Sequence, residues 1–333
     1  MGGIIIACCI GAGLPMATAD QPALKRYQFS QMEMAAPIKI VLYSPDHVTA
    51  TRASQAAFSR IRQLNGILSD YDPESEVRRL CDTSREGGPV AVSDDLWHVI
   101  KHAHDLCDRS GGAFDVTISP VVRLWRRARL RRELPSEERI SRARALVGNH
   151  LLRLSEERKM VELRKPDMRL DFGGIGKGYA GDEVLALLRR EFGIRHAMVD
   201  AGGDLVLGDA PPDAKGWRIG IAPLEANGPP SRILTVSNVA IATSGDTWQY
   251  VEIEGVRYSH IVDPRTGIGL TDHSNVTIVA PTGIEADSLA SAVSVLGPKR
   301  GLELIERTAG AEALIFRAPE GKIEIHESRG FPR

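Results

Sequence analysis

Leu170-Asp171-Phe172-Gly173-Gly174-Ile175-Gly176-Lys177-Gly178-Tyr179-Ala180-Gly181-Asp182 is the stretch on which the fold class turns. It reads as a strand end, a glycine-dense loop and a helix with Val184, Leu187 and Leu188 inward. Glycines let a backbone approach a ligand closely, and a helix N-terminus presents free N–H groups to phosphate. Lys177 adds a point charge. Two nucleotide motifs are tested by this stretch. A Walker A loop fails, because Lys177 is followed by Gly178 and the position of its first glycine is Asp171. Gly176-x-Gly178-x-x-Gly181 matches the dinucleotide string, but no βαβ alternation surrounds it. A tight strand-to-helix turn accounts for the same glycines without a ligand.

The flanking sequence points to an α+β class with mixed or antiparallel sheets and packed helices. Ile38–Tyr43 alternates like a strand with one buried face. Ala53, Ala57, Ile61, Leu64 and Leu68 mark one face of a helix, and Ser93 caps a second that Gly111-Gly112 stops. Strand-like pieces crowd the second half at 151–154, 159–164, 196–200, 204–208, 217–221, 233–236, 239–242, 249–254, 257–261, 275–280, 312–316 and 322–326. Hairpin signals sit at Glu254-Gly255 and Glu320-Gly321. Helices are expected near 177–192, 285–296 and 298–308. Strands that mostly follow strands favour α+β over a regular βαβ repeat.

Several side chains carry chemistry by their spacing. Asp287 and Ser291 are i and i+4 on one helix, a hard-oxygen pair suited to Mg²⁺ rather than zinc. Two side chains leave the rest of a metal shell to backbone carbonyls, water or phosphate; a dipole-stabilising Asp is the plainer alternative. His260, among Ser259, Asp263, Arg265 and Thr266, is the candidate for acid–base work. A structural histidine fits that spacing as well. His98 and His102 stand at i and i+4 without a third ligand. Six arginines between 123 and 132 surround Trp125 and read as a solvated face. Gly202-Gly203-Asp204 is a turn or a backbone approach to a ligand.

The 333 residues carry 42 Lys+Arg against 43 Asp+Glu, a net charge of -1 that argues against an electrostatic nucleic-acid binder. At 43% apolar and 26% charged the chain is globular, and its length allows one large domain or two packed lobes. Ile4–Leu14 is apolar but far shorter than the ~20 residues that span a bilayer. Ala17-x-Ala19 follows it, so residues 1–19 read as a cleaved signal peptide, with export to the periplasm, peripheral attachment at the membrane being the alternative, and 20–333 as a single domain. No segment is read as a transmembrane span. Cleavage would remove Cys8 and Cys9; Cys81 and Cys107 either pair or stay free and buried.

Seven segments in order resemble the FAD:protein FMN transferase (ApbE) family, from about Arg26 to Gly310. They are Leu68–Glu76, Gly111–Thr117, Asp171–Tyr179, Ala201–Asp204, Thr243–Asp246, Ser259–Gly267 and Ala286-Asp287. The resemblance implies an α+β fold of two intimately associated lobes with FAD in the cleft between them. It implies Mg²⁺-dependent transfer of FMN from FAD to a Thr or Ser hydroxyl of an acceptor protein, a redox or electron-transfer protein, with release of AMP. By that resemblance Met34, Tyr71, Ala113, Phe114, Asp115, Asp171, Lys177 and Ile261 contact FAD. The metal is expected on the Gly174 carbonyl, Asp287 and Ser291, and His260 or Asp263 assists the incoming hydroxyl. With water as acceptor the same site would be an FAD pyrophosphatase giving FMN and AMP; a non-catalytic FAD-binding protein is the third expectation. The family's Met-Gly-Thr is Met34-Ala35-Ala36 here, its alanine before the loop lysine is Gly176, and its metal threonine is Ser291.

Overall fold

The structure, a computed structural model, describes residues 23–225, 228–247 and 249–332. The leader at 1–19 lies outside them. An eight-stranded sheet organises the chain. Its strands are numbered here β1 (Lys25–Glu33), β2 (Ala36–Ser44), β3 (Ala197–Ala201), β4 (Asp204–Leu207), β5 (Ala240–Gly245), β6 (Ser274–Ala280), β7 (Glu312–Arg317) and β8 (Glu324–Glu327). They lie side by side in chain order, and every neighbouring pair is antiparallel. No βαβ crossover exists within the sheet, which is why the dinucleotide string carries no dinucleotide fold.

Strand alternation distributes the core. Ile38, Ile40 and Leu42 on β2 face one side, where they join α1 (His47–Leu68) and α6 (Gly176–Phe192). Val41 faces the other, against Trp217 and Leu234 of a two-stranded ribbon formed by 217–221 and 232–236. Each such buried aliphatic side chain contributes about 2 kcal/mol of transfer free energy. All seven residues of β6 are buried, because α7 (Gly283–Ile305) covers one face of that strand and the Trp217 cluster covers the other.

Four of the remaining helices are α2 (Glu76–Asp82), α3 (Asp94–Ser110), α4 (Ser119–Arg131) and α5 (Glu137–Arg144). With α1, α6 and a three-stranded sheet they fill the long insertion between β2 and β3. Ser93 caps α3 by accepting from Leu96 N, and Gly111 ends it at φ 62°, as expected. The expected helices at 285–296 and 298–308 are both present as the two arms of α7, separated by the non-helical Gly297 (φ 70°, ψ 177°) ahead of Pro298. β1 was not among the expected strands; Tyr27 and Phe29 alternate towards the core, but the run is short and lies on a sheet edge. Cys81 and Cys107 are free and buried, so of the two readings the unpaired one holds.

The glycines of the opening stretch are used for packing. A Cβ on Gly178 would overlap the carbonyl of Gly283, and one on Gly181 would come within 2.5 Å of Val206 Cγ2. The first turns of α6 and α7 therefore meet backbone to backbone. Thr282 gives α7 no side-chain cap; instead Asp182 of α6 accepts from Gly283 N at 2.6 Å and Ile284 N at 2.9 Å. Gly178→Ala is expected to cost about 2–3 kcal/mol through overpacking against backbone, read as a lower midpoint of urea unfolding with an unchanged slope.

Candidate active site

A cleft of about 870 Å³ opens where the insertion returns to the sheet. Its walls are the 171–177 loop, the start of α7, the 113–118 turn, the 68–72 loop, the end of β5 and the 260–264 segment. Met34, Tyr71, Ala113, Phe114, Asp115, Asp171, Lys177, Ile261, Gly174, Asp287, Ser291 and His260 all line it. Asp263 alone of the expected residues does not.

The α6–α7 crossing sets the deepest part. Asp287 is 6% exposed and accepts a hydrogen bond from Gly178 N at 3.1 Å. Burial, and then the neighbouring Asp204, push its carboxyl up to about 7 despite Lys177. Lys177 Nζ pairs with Asp204, a partner that the sequence reading of Gly202-Gly203-Asp204 as a turn or a backbone approach to a ligand did not give. Burial works against its charge, but Asp204 and Asp287 outweigh it and hold the ammonium above its usual range. Ser291 lies one helical turn from Asp287, and a Cβ on Gly174 would stand 2.6 Å from Ser291 Oγ. The Ser291 hydroxyl has no hydrogen-bond partner among the described residues. A buried carboxylate, an unpartnered hydroxyl and an adjacent glycine backbone form a hard-oxygen donor set that fits Mg²⁺. Among the described residues there is no group of three His, Cys, Asp or Glu that could hold a metal. His98 and His102 are no metal pair: His98 stacks on Tyr179 at 5.3 Å, and His102 Nε2 meets Ser288 Oγ at 3.2 Å.

A second cluster corrects the reading of the arginine run. α4 turns Val121, Trp125 and Ala128 inward, and this rotation brings Arg126 and Arg129 into the cleft. Arg126 donates to Asp70 Oδ2 at 2.6 Å and to Asp171 Oδ2 at 2.9 Å, and its guanidinium lies 4.4 Å from the centre of the Tyr71 ring. Asp171 also accepts from Gly173 N at 2.8 Å. Burial and Asp70 raise the Asp171 carboxyl, and Arg126 opposes them. The 68–72 loop and the glycine loop are thus tied through one side chain. Periodicity around Trp125 was the signal that could have found it. Asp115 is spent locally: it accepts from Thr117 N at 2.8 Å and Thr117 Oγ1 at 2.6 Å, capping a short turn.

Met34 stands at φ 49° and Ala35 at φ 57°, the two central residues of the β1–β2 hairpin. Both are left-handed, as a type I′ turn requires. The alanine that replaces the family's glycine therefore sits where a Cβ costs about 1 kcal/mol.

On the opposite wall, His260 Nδ1 lies 3.1 Å from the Gln249 carbonyl. An acceptor there assigns the proton to Nδ1 and leaves the Nε2 lone pair free. Burial lowers the imidazole pKa below its ordinary value; the Gln249 carbonyl opposes this, and Arg129 and Lys177 reinforce it. Asp263 instead holds its own turn, accepting from Arg265 N at 2.8 Å, Nε at 2.9 Å and Nη2 at 2.7 Å. Its carboxylate is committed outside the cleft.

The family model described as the ApbE family matches residues 34–315. The chain belongs to the ApbE family. A Vibrio cholerae protein named FAD:protein FMN transferase is 31% identical over 321 residues, covering 95% of this chain and 94% of that one. A Haemophilus influenzae protein of the same name is 28% identical over 326 residues, covering 95% and 93%. Among solved structures, the flavin transferase ApbE of Vibrio cholerae aligns with a TM-score of 0.81 at 28% identity, over 92% of this chain and 98% of that one. The ApbE protein of Thermotoga maritima aligns with a TM-score of 0.82 at 27% identity, with the same coverages. The α+β class expected from strand order is therefore the class of this family.

Replacing Arg126 in this ApbE-family cleft by Met would leave Asp70 and Asp171 without their cation. The variant is expected to lose about 2 kcal/mol of stability, read by urea unfolding, and to bind FAD more weakly in a fluorescence titration.

Proposed function

We propose that this chain moves FMN from FAD to a Thr or Ser hydroxyl of an acceptor protein and releases AMP, with Mg²⁺ as cofactor. The observation that carries this reading is the buried Asp287 carboxylate. It sits beside the unpartnered Ser291 hydroxyl and the Gly174 backbone, in the same cleft as Lys177 and His260. The family relatives carry the matching name.

In this reading Asp287, Ser291 and the Gly174 carbonyl hold Mg²⁺. The ion would neutralise charge on the pyrophosphate oxygens and make AMP a better leaving group. Lys177, kept charged by Asp204 and Asp287, supplies a fixed positive potential beside the same oxygens. Tyr71, Phe114 and Met34 offer apolar surface to the flavin, and Ala113, Asp115, Asp171 and Ile261 complete the FAD contacts. The acceptor hydroxyl attacks the FMN-side phosphorus. The new P–O bond forms as the bond to the AMP phosphate oxygen breaks, and that oxygen leaves with the electron pair. The hydroxyl proton passes to His260 Nε2, the ring nitrogen that the Gln249 contact leaves free. Asp263, bound by Arg265, acts as a positioning residue for the 260–266 turn rather than as the base. Water in place of the hydroxyl would give FMN and AMP from the same arrangement.

Export to the periplasm belongs to this proposal and rests on residues 1–19. Among the described residues no helix is long and apolar enough to cross a membrane.

Incubation with FAD, Mg²⁺ and an acceptor domain, followed by mass spectrometry of the acceptor, tests the assignment. A gain of one FMN with stoichiometric AMP supports transfer. FMN and AMP with an unmodified acceptor would make the chain a hydrolase, and intact bound FAD would overturn both. Asp287→Ala is expected to abolish turnover at every Mg²⁺ concentration, whereas retained Mg²⁺-stimulated AMP release would refute the metal site.

Burial lowers the His260 pKa from its ordinary value and so favours the neutral imidazole, the form that can accept a proton. As pH falls through that lowered value the ring gains a proton and loses its function as a base. The acidic limb of kcat/KM is therefore expected below pH 6.5, and His260→Asn should remove that limb as well as most of the rate. A limb unchanged in the variant would assign it to another group.

A further inference from the structure

We propose that the outer, arginine-bearing face of α4, with the groove at its start, docks an acidic segment of the protein that accepts the flavin. This rests on the transferase reading above. The groove has a volume of about 430 Å³ and is formed by Arg85, Arg123, Arg127 and Arg169 with Asp167 and Leu124. Four arginines thus line the groove with one aspartate. Asp167 is taken by Arg85 Nε at 2.8 Å, and Arg169 leans on Asp82 at 2.9 Å. Arg123 and Arg127 are exposed and have no carboxylate partner among the described residues.

The positive charge continues past the groove. Arg123, Arg127 and Arg131 recur every fourth residue on one face of α4, all exposed, spanning about 12 Å of helix axis. Of the acidic residues after α4, Glu138 is engaged by Arg142 at 2.8 Å. The chain as a whole carries a net charge of only -1, so this surplus is local. A strip of that length exceeds what one small anion requires and suits an extended run of carboxylates.

Position gives the strip its purpose. Arg126, three residues from Arg123 and so its neighbour on the helix surface, lines the active cleft with Arg129. One helix therefore forms the cleft wall on one side and the cationic shoulder on the next. An acceptor whose hydroxyl enters the cleft then has a cationic face of the same helix to dock against. A membrane fits less well, because an interfacial helix presents a broad apolar face to lipid. α4 instead buries Val121, Trp125 and Ala128 in the protein.

The test uses the full chain and two fluorescein-labelled peptides, each with one threonine, flanked by glutamates in one and glutamines in the other. Anisotropy should show binding of the glutamate peptide alone, weakening steeply as sodium chloride is raised. Arg123→Glu with Arg127→Glu should weaken it about tenfold or more. Arg153→Glu, a charge reversal at an exposed site away from α4, should not. AMP release from FAD without peptide should be the same in wild type and the double variant, since neither altered residue lines the cleft. Equal binding of both peptides, or undiminished binding by the double variant, would overturn the proposal. So would binding to phosphatidylglycerol vesicles without binding to the acidic peptide. A wild-type protein that binds the acidic peptide yet releases no AMP would refute the transferase reading and leave the docking surface standing.

Discussion

Everything in the cleft depends on one backbone contact, the crossing of α6 and α7 at Gly178 and Gly283. With hydrogen in place of each side chain, the first turns of two helices touch, and Asp182 of one supplies the cap that the other lacks. That closeness lets a residue of α7, Asp287, accept a hydrogen bond from an amide of α6. It also seats Lys177 between two carboxylates that are far apart in sequence. The sheet serves this crossing: α6 leads into β3, α7 follows β6, and the antiparallel order brings both helices to one face.

Charge in the site is distributed unevenly. Two cations are balanced within the fold, Lys177 by Asp204 and Arg126 by Asp70 and Asp171. Asp287 has backbone amides and a shared lysine but no cation of its own, and burial shifts it towards the protonated form. Desolvated pairs of this kind add little net stability against apolar replacements. Their concentration around one cleft is therefore the mark of a functional site rather than of a contribution to folding. α4 extends the same logic outward: Arg126 is paired in the cleft, whereas Arg129 in the cleft and Arg123 and Arg127 outside it have no carboxylate partner among the described residues.

Much of this was legible in residue order. The Ser93 cap, the Gly111-Gly112 stop, the Glu254-Gly255 hairpin and most of the second-half strands follow from local rules of capping, turn chemistry and alternation, and the structure has them. β1 escaped because its apolar alternation is short: Tyr27 and Phe29 pack against the core, but Gln31 follows in the same register and the strand lies on a sheet edge. Arg126 escaped because a run of six arginines looks uniformly solvated until the rotation of α4 about Trp125 is known. The surroundings of Asp263 were equally hidden: a bidentate contact from Arg265, two residues away, holds its carboxylate in its own turn.

The sequence by itself determined the α+β class, the ordered motifs that mark the family, and the residue types that could meet a metal and a pyrophosphate. These are local or compositional properties, set by side-chain period, turn residues and ligand hardness. Only the tertiary structure decided which of those residues share a cleft, which glycines serve packing rather than ligand approach, and which arginines turn inward. Those outcomes depend on contacts between segments more than a hundred residues apart, such as Gly178 with Asp287, and on the rotation of each helix about its buried face. No local pattern encodes them, because the same stretch of chain would read identically in either orientation.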